Sequence, residues 1–316
     1  MGLLEMLCLR IEVWIMNYII GVDGGGTKTE AVAYDLDGRA LATGYSGYGN
    51  VLIDYQLAID HILEAIKQCL AALEADTCIY IYLGLAGIDS GMNRSALEIE
   101  LEQLNIPYSI VNDARIAHGA VLKGQEGILT ISGTGSISYG LRLNRLEMSG
   151  GWGHLLGDEG SGYWIVIECL KKMINDHETG KPISELSTHL LETLELQTVP
   201  DIKQFVYTKS KGEIAELVPV IVKIADSGDQ IAQGVLEEAG SVLAEMTINL
   251  YRKLAFEGET LIGIKGSVLT RIDWVKNSFV ARVNEHINGA IMIDDEVSAT
   301  MGAYYLALQE MDDAMV

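Results

Sequence analysis

A run of three glycines followed by hydroxyl and ammonium side chains lies near the start of the chain, as Asp23-Gly24-Gly25-Gly26-Thr27-Lys28-Thr29. Consecutive glycines let the backbone approach a bulky anion and direct several N–H groups at it, as polyphosphate binding requires. Lys28 offers a point charge, and Thr27 and Thr29 offer hydroxyls. Asp23 is placed to hold Mg²⁺ through water. For this motif alone, the alternative is a tight glycine turn beside an exposed lysine.

A second glycine turn follows Ser132, as Gly133-Thr134-Gly135-Ser136. It repeats the hydroxyl groups of the first turn but carries no lysine. Neither turn has the spacing G-x-x-x-x-G-K-[ST], and a strand rather than a helix is predicted after Thr29, which argues against a dinucleotide fingerprint. Because both turns lie at the same place in a repeated hairpin pattern, the pair favours phosphate binding more strongly than either turn alone.

Asp113 lies just beyond the predicted strand at residues 108–111. A carboxylate near an attacking hydroxyl can orient it and accept its proton during phosphoryl transfer. The rival role is capping of the helix predicted to start at Ala114, since Asp is a preferred N-cap residue. The two roles are compatible.

Residues 150–162 are dense in glycine and also carry an indole, an imidazole and two carboxylates, in the order Gly151, Trp152, His154, Asp158 and Glu159. Carboxylates accept hydrogen bonds from paired sugar hydroxyls, and an aromatic face packs on the apolar side of a sugar ring. The segment therefore favours sugar binding. The alternatives are a structural histidine at His154 and a core side chain at Trp152.

The elements that must position these residues alternate between strands and amphipathic helices. Strands are predicted at residues 18–23, 29–34 and 39–43, followed by a helix with an apolar stripe from Ile59 to Leu73, a strand at 79–83, a helix at 94–104 and a strand at 108–111. This order predicts an α/β fold, in which ligands lie beyond the carboxyl ends of strands. Asp23, Gly87 and Asp113 all fall there.

The second half of the chain begins with the same strand, glycine turn and strand, which indicates an internal duplication. From Gly160 onward the pattern is largely helical, with one long stripe across residues 234–250. A strand at 261–264 then runs into the turn Lys265-Gly266-Ser267, and a final amphipathic helix is predicted to pack back on the first domain. We expect domains at residues 16–115 and 116–299, with residues 1–15 as an appendage and residues 300–316 as the returning helix.

Composition narrows the classes of partner. The formal net charge of -22 argues against a surface that binds nucleic acid or an anionic membrane, because such surfaces depend on clustered Lys and Arg. The four cysteines are far apart and have no histidine at ligand spacing, so they predict reduced thiols rather than a zinc site. Residues 1–15 are interrupted by Glu5, Arg10 and Glu12, which argues against a signal or membrane segment. We expect a cytoplasmic protein.

Taken together, the motifs resemble the N-acetylglucosamine kinase branch of the actin-like ATPase superfamily, which also includes the BadF/BadG/BcrA/BcrD-type activator ATPases. The motifs are DGGGTKT, LAGID, VNDA, ISGTGS, GGWGHLLGDEGSGYWI and GIKGSV, in that order between Met16 and Gly302. The resemblance implies two ribonuclease-H-like domains with a central cleft that binds ATP, Mg²⁺ and a sugar. It also implies a homodimer.

The resemblance implies a role for each matching position. Asp113 would be the catalytic base and would also contact the sugar, and Asp23 would be the metal ligand. The nucleotide would contact Gly24, Gly25, Gly26, Thr27, Lys28, Thr29, Gly133, Thr134, Gly135 and Ser136, with Gly266 and Ser267 as the adenosine motif. The sugar would also contact Asn50, Gly87, Gly151, Trp152 and Asp158.

The activity expected from this resemblance is phosphorylation of N-acetylglucosamine at its primary C6 hydroxyl. N-acetylmuramic acid is the main rival substrate, because its lactyl group needs only extra room; glucosamine and N-acetylmannosamine are less favoured. An activator ATPase is a further alternative. Such proteins hold an iron-sulfur cluster on nearby cysteines, and this chain has no such pair. A sugar sensor without turnover is disfavoured by the presence of both turns and Asp113.

Overall fold

The computed structural model describes residues 15–88 and 94–313. The chain divides into two compact units, one comprising Met1–Ala120 with Ser298–Val316 and the other comprising Val121–Val297. The predicted boundaries at 116 and 299 lie close to these. Of the predicted appendage, only Ile15 is among the described residues. Asp89 of the LAGID motif and residues 314–316 of the predicted returning helix also lie outside them.

The first unit is built around a five-stranded sheet. Its elements are β1 (Asn17–Gly24), β2 (Thr29–Asp35), β3 (Ala40–Ser46), α1 (Tyr55–Ala72), β4 (Thr77–Leu85), α2 (Arg94–Glu102), β5 (Tyr108–Asn112), α3 (Asp113–Leu122) and, after the second unit, α12 (Ala299–Asp313). The chain passes into the second unit within α3.

The second unit combines another five-stranded sheet with a larger set of helices. Its elements are β6 (Gly127–Ser132), β7 (Ser136–Arg142), β8 (Arg145–Gly150), α4 (Gly162–Glu178), α5 (Glu185–Thr193), a 3-10 turn (Val199–Asp201), α6 (Ile202–Thr208), α7 (Lys211–Ala215), α8 (Val218–Asp226), α9 (Gln230–Lys253), β9 (Thr260–Lys265), α10 (Ser267–Arg271), α11 (Asp273–His286) and β10 (Ala290–Ile293).

The two sheets have the same topology. The first has the order β3-β2-β1-β4-β5, and the second, read in the matching direction, has the order β8-β7-β6-β9-β10. In each sheet the first three strands along the chain form an antiparallel meander, and the last two add in parallel beside the first. The internal duplication expected from the two hairpins therefore extends to the complete sheet.

Helical stripes supply most of each core. In α1 the side chains of Ile59, Ile62 and Ile66 are at most 1% exposed, as their three- and four-residue spacing predicts. In α9 the predicted stripe, which includes Leu236 and Leu243, is buried in the same way. This helix of 24 residues lies against the sheet of its unit and contributes many of the buried side chains of that core.

The final helix, α12, packs against the first sheet on the face opposite α1. It buries Ala303, Tyr304 and Leu306 beside Ile19 and Tyr82 of the sheet. The Tyr34 and Thr300 hydroxyls form a buried hydrogen bond of 2.7 Å. In the described residues, no helix is long and apolar enough to cross a membrane.

Candidate functional site

The carboxyl ends of β1, β4 and β5 lie side by side in the first sheet. The strand register pairs Gly24 with Leu85 and Leu85 with Asn112, so three chain segments leave the sheet at adjacent points. Asp113 follows directly as the first residue of α3 and is exposed. This edge of the sheet therefore brings the first glycine turn and the predicted base into neighbouring positions.

Backbone hydrogen bonds hold the first glycine turn from three directions. The N–H of Gly25 donates to the carbonyl of Lys28 at 3.1 Å, and the N–H of Gly49 donates to the carbonyl of Gly25 at 2.9 Å. The N–H of Ala86 donates to the carbonyl of Gly24 at 2.9 Å. At Gly26 an added Cβ would meet no atom within 4 Å, so this backbone is open to a bulky group.

Two side chains of the first turn, Lys28 and Thr29, differ in their surroundings. Lys28 is 61% exposed, forms an ion pair with Glu30 at 3.2 Å and lies over the Tyr45 ring at 5.5 Å. Thr29 is fully buried, and its hydroxyl has no hydrogen-bond partner among the described residues. Lys28 is therefore paired with a side chain of β2, and the Thr29 hydroxyl is shielded from solvent.

Asn112, rather than Asp113, supplies the capping bond of α3. The Asn112 Oδ1 accepts from the N–H of Arg115 at 2.9 Å, which is the bond expected of an N-cap. The Asp113 Oδ1 accepts from the N–H of the next residue, Ala114, at 3.0 Å. The rival capping role considered for Asp113 therefore belongs to its neighbour.

Two of the residues predicted to bind the sugar, Asn50 and Gly87, lie close together in the first unit. The Asn50 Oδ1 accepts from the N–H of Leu52 at 2.9 Å and would lie 2.9 Å from a Cβ added at Gly87. Gly87 has φ +79°, a conformation that favours glycine. These contacts place Asn50 beside the residues that follow β4, next to the first glycine turn.

The second glycine turn is tied to the glycine-rich segment by four hydrogen bonds. The Ser132 and Ser136 hydroxyls donate to the carbonyls of Gly160, at 2.9 Å, and Glu159, at 2.7 Å. The N–H groups of Gly162 and Gly151 donate to the carbonyls of Gly133, at 2.8 Å, and Ser136, at 3.1 Å. The glycine-rich segment at residues 150–162 therefore holds this turn in place.

Asp158, predicted to bind sugar, is buried beneath the second turn. It is 3% exposed, has φ +61°, and its Oδ2 accepts from the Lys211 Nζ at 2.5 Å. A Cβ added at Gly135 would lie 3.2 Å from that Oδ2 and 2.7 Å from the Lys211 Nζ. Lys211 is the first residue of α7 and was not among the predicted site residues.

The aromatic and aliphatic side chains of residues 151–156 face solvent. Trp152 is 65% exposed, and Leu155 and Leu156 are 84% and 79% exposed. The suggestion that Trp152 is a core side chain is therefore wrong. His154 packs edge-on against Tyr163, with ring centroids 5.0 Å apart, which accords with a structural role for this histidine.

The predicted adenosine motif lies directly against the second turn. Gly266 has φ +91°, and a Cβ at this position would overlap the Ser132 backbone. The motif and the turn share a cavity of about 610 Å³ within the second unit. Its lining residues are Gly133, Thr134, Gly162, Gly212, Ala215, Glu216, Val218, Pro219, Val222, Ser267, Val268, Arg271 and Ile272.

This cavity has the composition expected of a nucleoside pocket. Val218, Pro219 and Ile272 form apolar walls, Glu216 and Arg271 offer polar groups, and the glycine turn lies at the cavity wall. A second cavity of about 590 Å³ lies between α4 and α6, but neither glycine turn contributes to it. Only the first combines an apolar chamber with a potential phosphate-binding backbone.

The described residues contain no cluster of three or more His, Cys, Asp or Glu side chains suited to a metal ion. Mg²⁺ does not need such a cluster in phosphoryl-transfer sites, where phosphate oxygens and water complete a shell begun by one or two carboxylates. Asp23, at the end of β1 and directly before the glycine turn, is suited to that mode. The donor set therefore fits Mg²⁺ carried in with a polyphosphate.

Several known proteins are similar to this chain over nearly its full length. An N-acetylmuramic acid/N-acetylglucosamine kinase of Clostridium acetobutylicum is 31% identical over 306 residues, covering 94% of this chain and 100% of the relative. An N-acetyl-D-glucosamine kinase of Dictyostelium discoideum is 31% identical over 309 residues, covering 92% and 97%.

Solved structures agree on the fold. A crystal structure from Chromobacterium violaceum aligns with a TM-score of 0.66 at 24% identity, covering 93% of this chain and 99% of that one. A ROK family glucokinase of Streptomyces griseus, in complex with glucose and AMPPNP, aligns with a TM-score of 0.54 at 19% identity, covering 92% and 99%. These likenesses confirm the α/β fold of the sugar kinases.

The family assignment rests on one further match. The model of the BadF/BadG/BcrA/BcrD ATPase family covers residues 20–307, which includes both glycine turns, Asp113 and the adenosine motif. The resemblance inferred from the motifs is thereby confirmed. This chain belongs to the BadF/BadG/BcrA/BcrD ATPase family.

Proposed function

We propose that this chain is an ATP-dependent kinase that phosphorylates an N-acetylated amino sugar, with N-acetylglucosamine converted to its 6-phosphate. The observation that carries the proposal is the 610 Å³ cavity shared by the second glycine turn and the Gly266-Ser267 motif, which fits a nucleoside with its phosphates at the turn. The sugar is suggested by the names of the two relatives at 31% identity.

The proposed reaction is an in-line transfer. The sugar oxygen forms a bond to the γ-phosphorus of ATP, the bond from that phosphorus to the β–γ bridging oxygen breaks, and ADP leaves. The hydroxyl proton passes to the Asp113 carboxylate. N–H groups of the glycine turns bind phosphate oxygens and neutralise developing charge. Bound Mg²⁺ would neutralise further charge on the phosphates, and Asp23 would hold it.

In the same proposal the sugar is bound by Asn50, Gly87, Gly151, Trp152 and Asp158. Asn50 and Gly87 have the supporting observation that they meet in the first unit. The Asp158 carboxylate also accepts a hydrogen bond from the Lys211 Nζ at 2.5 Å through its Oδ2. We further propose a homodimer in the cytoplasm; light scattering of the purified protein tests the dimer.

N-acetylmuramic acid is the second candidate substrate, because the Clostridium relative is named for both sugars. Purified protein should be incubated with ATP and N-acetylglucosamine, N-acetylmuramic acid, glucosamine or N-acetylmannosamine, and the products analysed by mass spectrometry. We expect N-acetylglucosamine to gain one phosphoryl group for each ADP released. Hydrolysis of ATP with no change in any sugar would instead favour an activator-type ATPase.

Asp113→Asn tests the proposed base. The amide keeps the size of the side chain but accepts no proton, so kcat should fall by about 10²- to 10⁴-fold, the usual contribution of general-base catalysis. KM for ATP should change little, since Asp113 acts on the sugar hydroxyl. Asp312→Asn, at an exposed position of α12, is the matched control. Near-normal turnover of Asp113→Asn would remove this residue from the role.

A further inference from the structure

A lysine from a distant part of the chain lies at the second glycine turn. The turn itself carries none, but the Lys211 Nζ lies 2.7 Å from the position that a Gly135 Cβ would occupy. The next residue, Gly212, lines the cavity together with Gly133 and Thr134 of the turn. The ammonium group is thus placed at the face of the turn, close to the cavity wall.

The surroundings of Lys211 hold its ammonium group in place without enclosing it. Asp158, which accepts from the Nζ at 2.5 Å, has a side chain only 5% exposed, whereas the Lys211 side chain is 28% exposed. An ammonium group has three N–H donors, and Asp158 accepts from it through one oxygen. In the part of the chain that the structure describes, no other hydrogen bond is made by this Nζ, so its remaining donors can bind an anion that enters from the partly exposed side.

The lysine of the first turn is placed differently. Lys28 is 61% exposed and is paired with Glu30, a residue of the adjoining strand β2. An exposed surface cation gains little from an ion pair in water, whereas a partly buried one that is held in place interacts more strongly. With a formal net charge of -22, the protein as a whole repels a nucleotide, so a local cation is needed at a phosphate site.

We propose that Lys211 binds a nucleotide phosphate at the second glycine turn and that Asp158 positions its ammonium group. This inference deepens the proposed function, since it names a phosphate-binding side chain for the same nucleotide. The alternative is that Lys211 only neutralises the buried carboxylate of Asp158. The proposal and the alternative predict different affinities for ADP when the charges of Lys211 and Asp158 are removed together.

The first experiment compares ADP with adenosine by titration calorimetry. Lys211→Met should weaken ADP binding by about 10- to 100-fold, the effect of losing one charge-assisted hydrogen bond, and should change adenosine binding less than about twofold. Lys209→Met is the matched control, because Lys209 is exposed and paired with Glu213, and it should bind both ligands normally. Equal losses for the two ligands, or no loss for ADP, would overturn the proposal.

A second variant keeps the test valid if the single substitution leaves Asp158 uncompensated and the protein unstable. Asp158→Asn combined with Lys211→Met removes both charges and should fold, since no buried charge is left alone. We expect this double variant to bind adenosine normally and ADP about 10- to 100-fold more weakly. Wild-type ADP affinity in the double variant would show that Lys211 serves only to neutralise Asp158.

These binding measurements do not depend on catalysis. If the wild-type protein phosphorylates none of the sugars but Lys211→Met still weakens ADP selectively, the kinase proposal fails and the assignment of Lys211 stands. If sugars are phosphorylated and the ADP affinity of Lys211→Met is unchanged, the kinase proposal stands and the assignment of Lys211 fails.

Discussion

Gly266 has two separate physical reasons to be glycine. Its φ of +91° lies in a region that L-residues rarely adopt, and a Cβ would overlap the backbone of Ser132. The first reason concerns the residue alone, and the second concerns the contact between the adenosine motif and the second glycine turn. Gly258, with φ +70° and no atom within 4 Å of an added Cβ, has only the first.

Comparing these two glycines separates the two effects. Gly258→Ala should lower the free energy of unfolding by about 1–2 kcal/mol through its backbone conformation. Gly266→Ala should lower it further and should also weaken ADP binding, because Ser132 must move. Urea unfolding and calorimetry measure both effects. Equal destabilisation by the two substitutions would show that the contact at Ser132 relaxes without cost.

Thr29 provides a second comparison between single residues. Its buried hydroxyl has no partner in residues 15–88 and 94–313, so Thr29→Val should leave the free energy of unfolding unchanged or raise it slightly. Thr130→Val is the matched control, because that buried hydroxyl bonds Ser138 at 2.9 Å and Thr247 at 2.6 Å. The control should lose about 1–3 kcal/mol in urea unfolding. A similar loss in Thr29→Val would mean that its hydroxyl has a partner.

Among the elements, α12 has an unusual polar attachment to the sheet beneath it. The Glu310 carboxylate accepts from the hydroxyls of Tyr80 at 2.9 Å, Tyr82 at 3.0 Å and Ser109 at 2.5 Å. These residues belong to β4 and β5, so one side chain joins the helix to two strands. Burial, with Glu310 nearby, raises the pKa of Tyr82 well above its ordinary value.

Glu310→Ala should therefore destabilise the first unit more than an ordinary surface substitution does. Hydrogen bonds to a charged group contribute about 1.5–3 kcal/mol, and the partial exposure of this group places the expected loss near the lower value. Gln309→Ala, at an exposed position of the same helix, should stay within about 0.5 kcal/mol of the wild type. Urea unfolding measures both, and indistinguishable variants would contradict the prediction.

Helices and strands with a long periodic pattern could be predicted from the sequence, and some of the short ones could not. The long stripes of α1 and α9 and the strands beside the glycine turns follow from local periodicity, and all were predicted. The strand β10 was not, because its four residues are too short to show a pattern. Lys211 could not be predicted as a site residue because its partner Asp158 is 53 positions away in the sequence. No spacing rule connects a single lysine with a turn formed elsewhere in the chain.

Each of the two units contains a buried cysteine whose reaction with a thiol reagent measures the opening of that unit. Cys69 in the first unit and Cys169 in the second are both fully buried. Burial raises the pKa of Cys169 to about 12. Near pH 8 this thiol is protonated as well as inaccessible, so reaction with a thiol reagent requires the second unit to open.

Adding ADP should slow the labelling of Cys169. A ligand that binds only the folded second unit lowers the population of the opened form by the factor 1 + [L]/Kd, which is about 100-fold when the ligand concentration is 100 times its dissociation constant. Labelling at pH 8 with peptide mapping by mass spectrometry follows each cysteine separately. Labelling of Cys169 at a rate independent of ADP would contradict either binding in that unit or its protection by burial.

The return of α12 to the first sheet has a consequence for how the protein is made. A ribosome delivers the first sheet early, but the helix that covers its second face is synthesised only after all of Val121–Val297. We therefore expect Ile19 and Tyr82 of the nascent chain to lack the part of their cover that α12 supplies until the second unit has been synthesised. Apolar surface that is exposed in this way during synthesis is prone to aggregation, which is the general reason that nascent chains need chaperones.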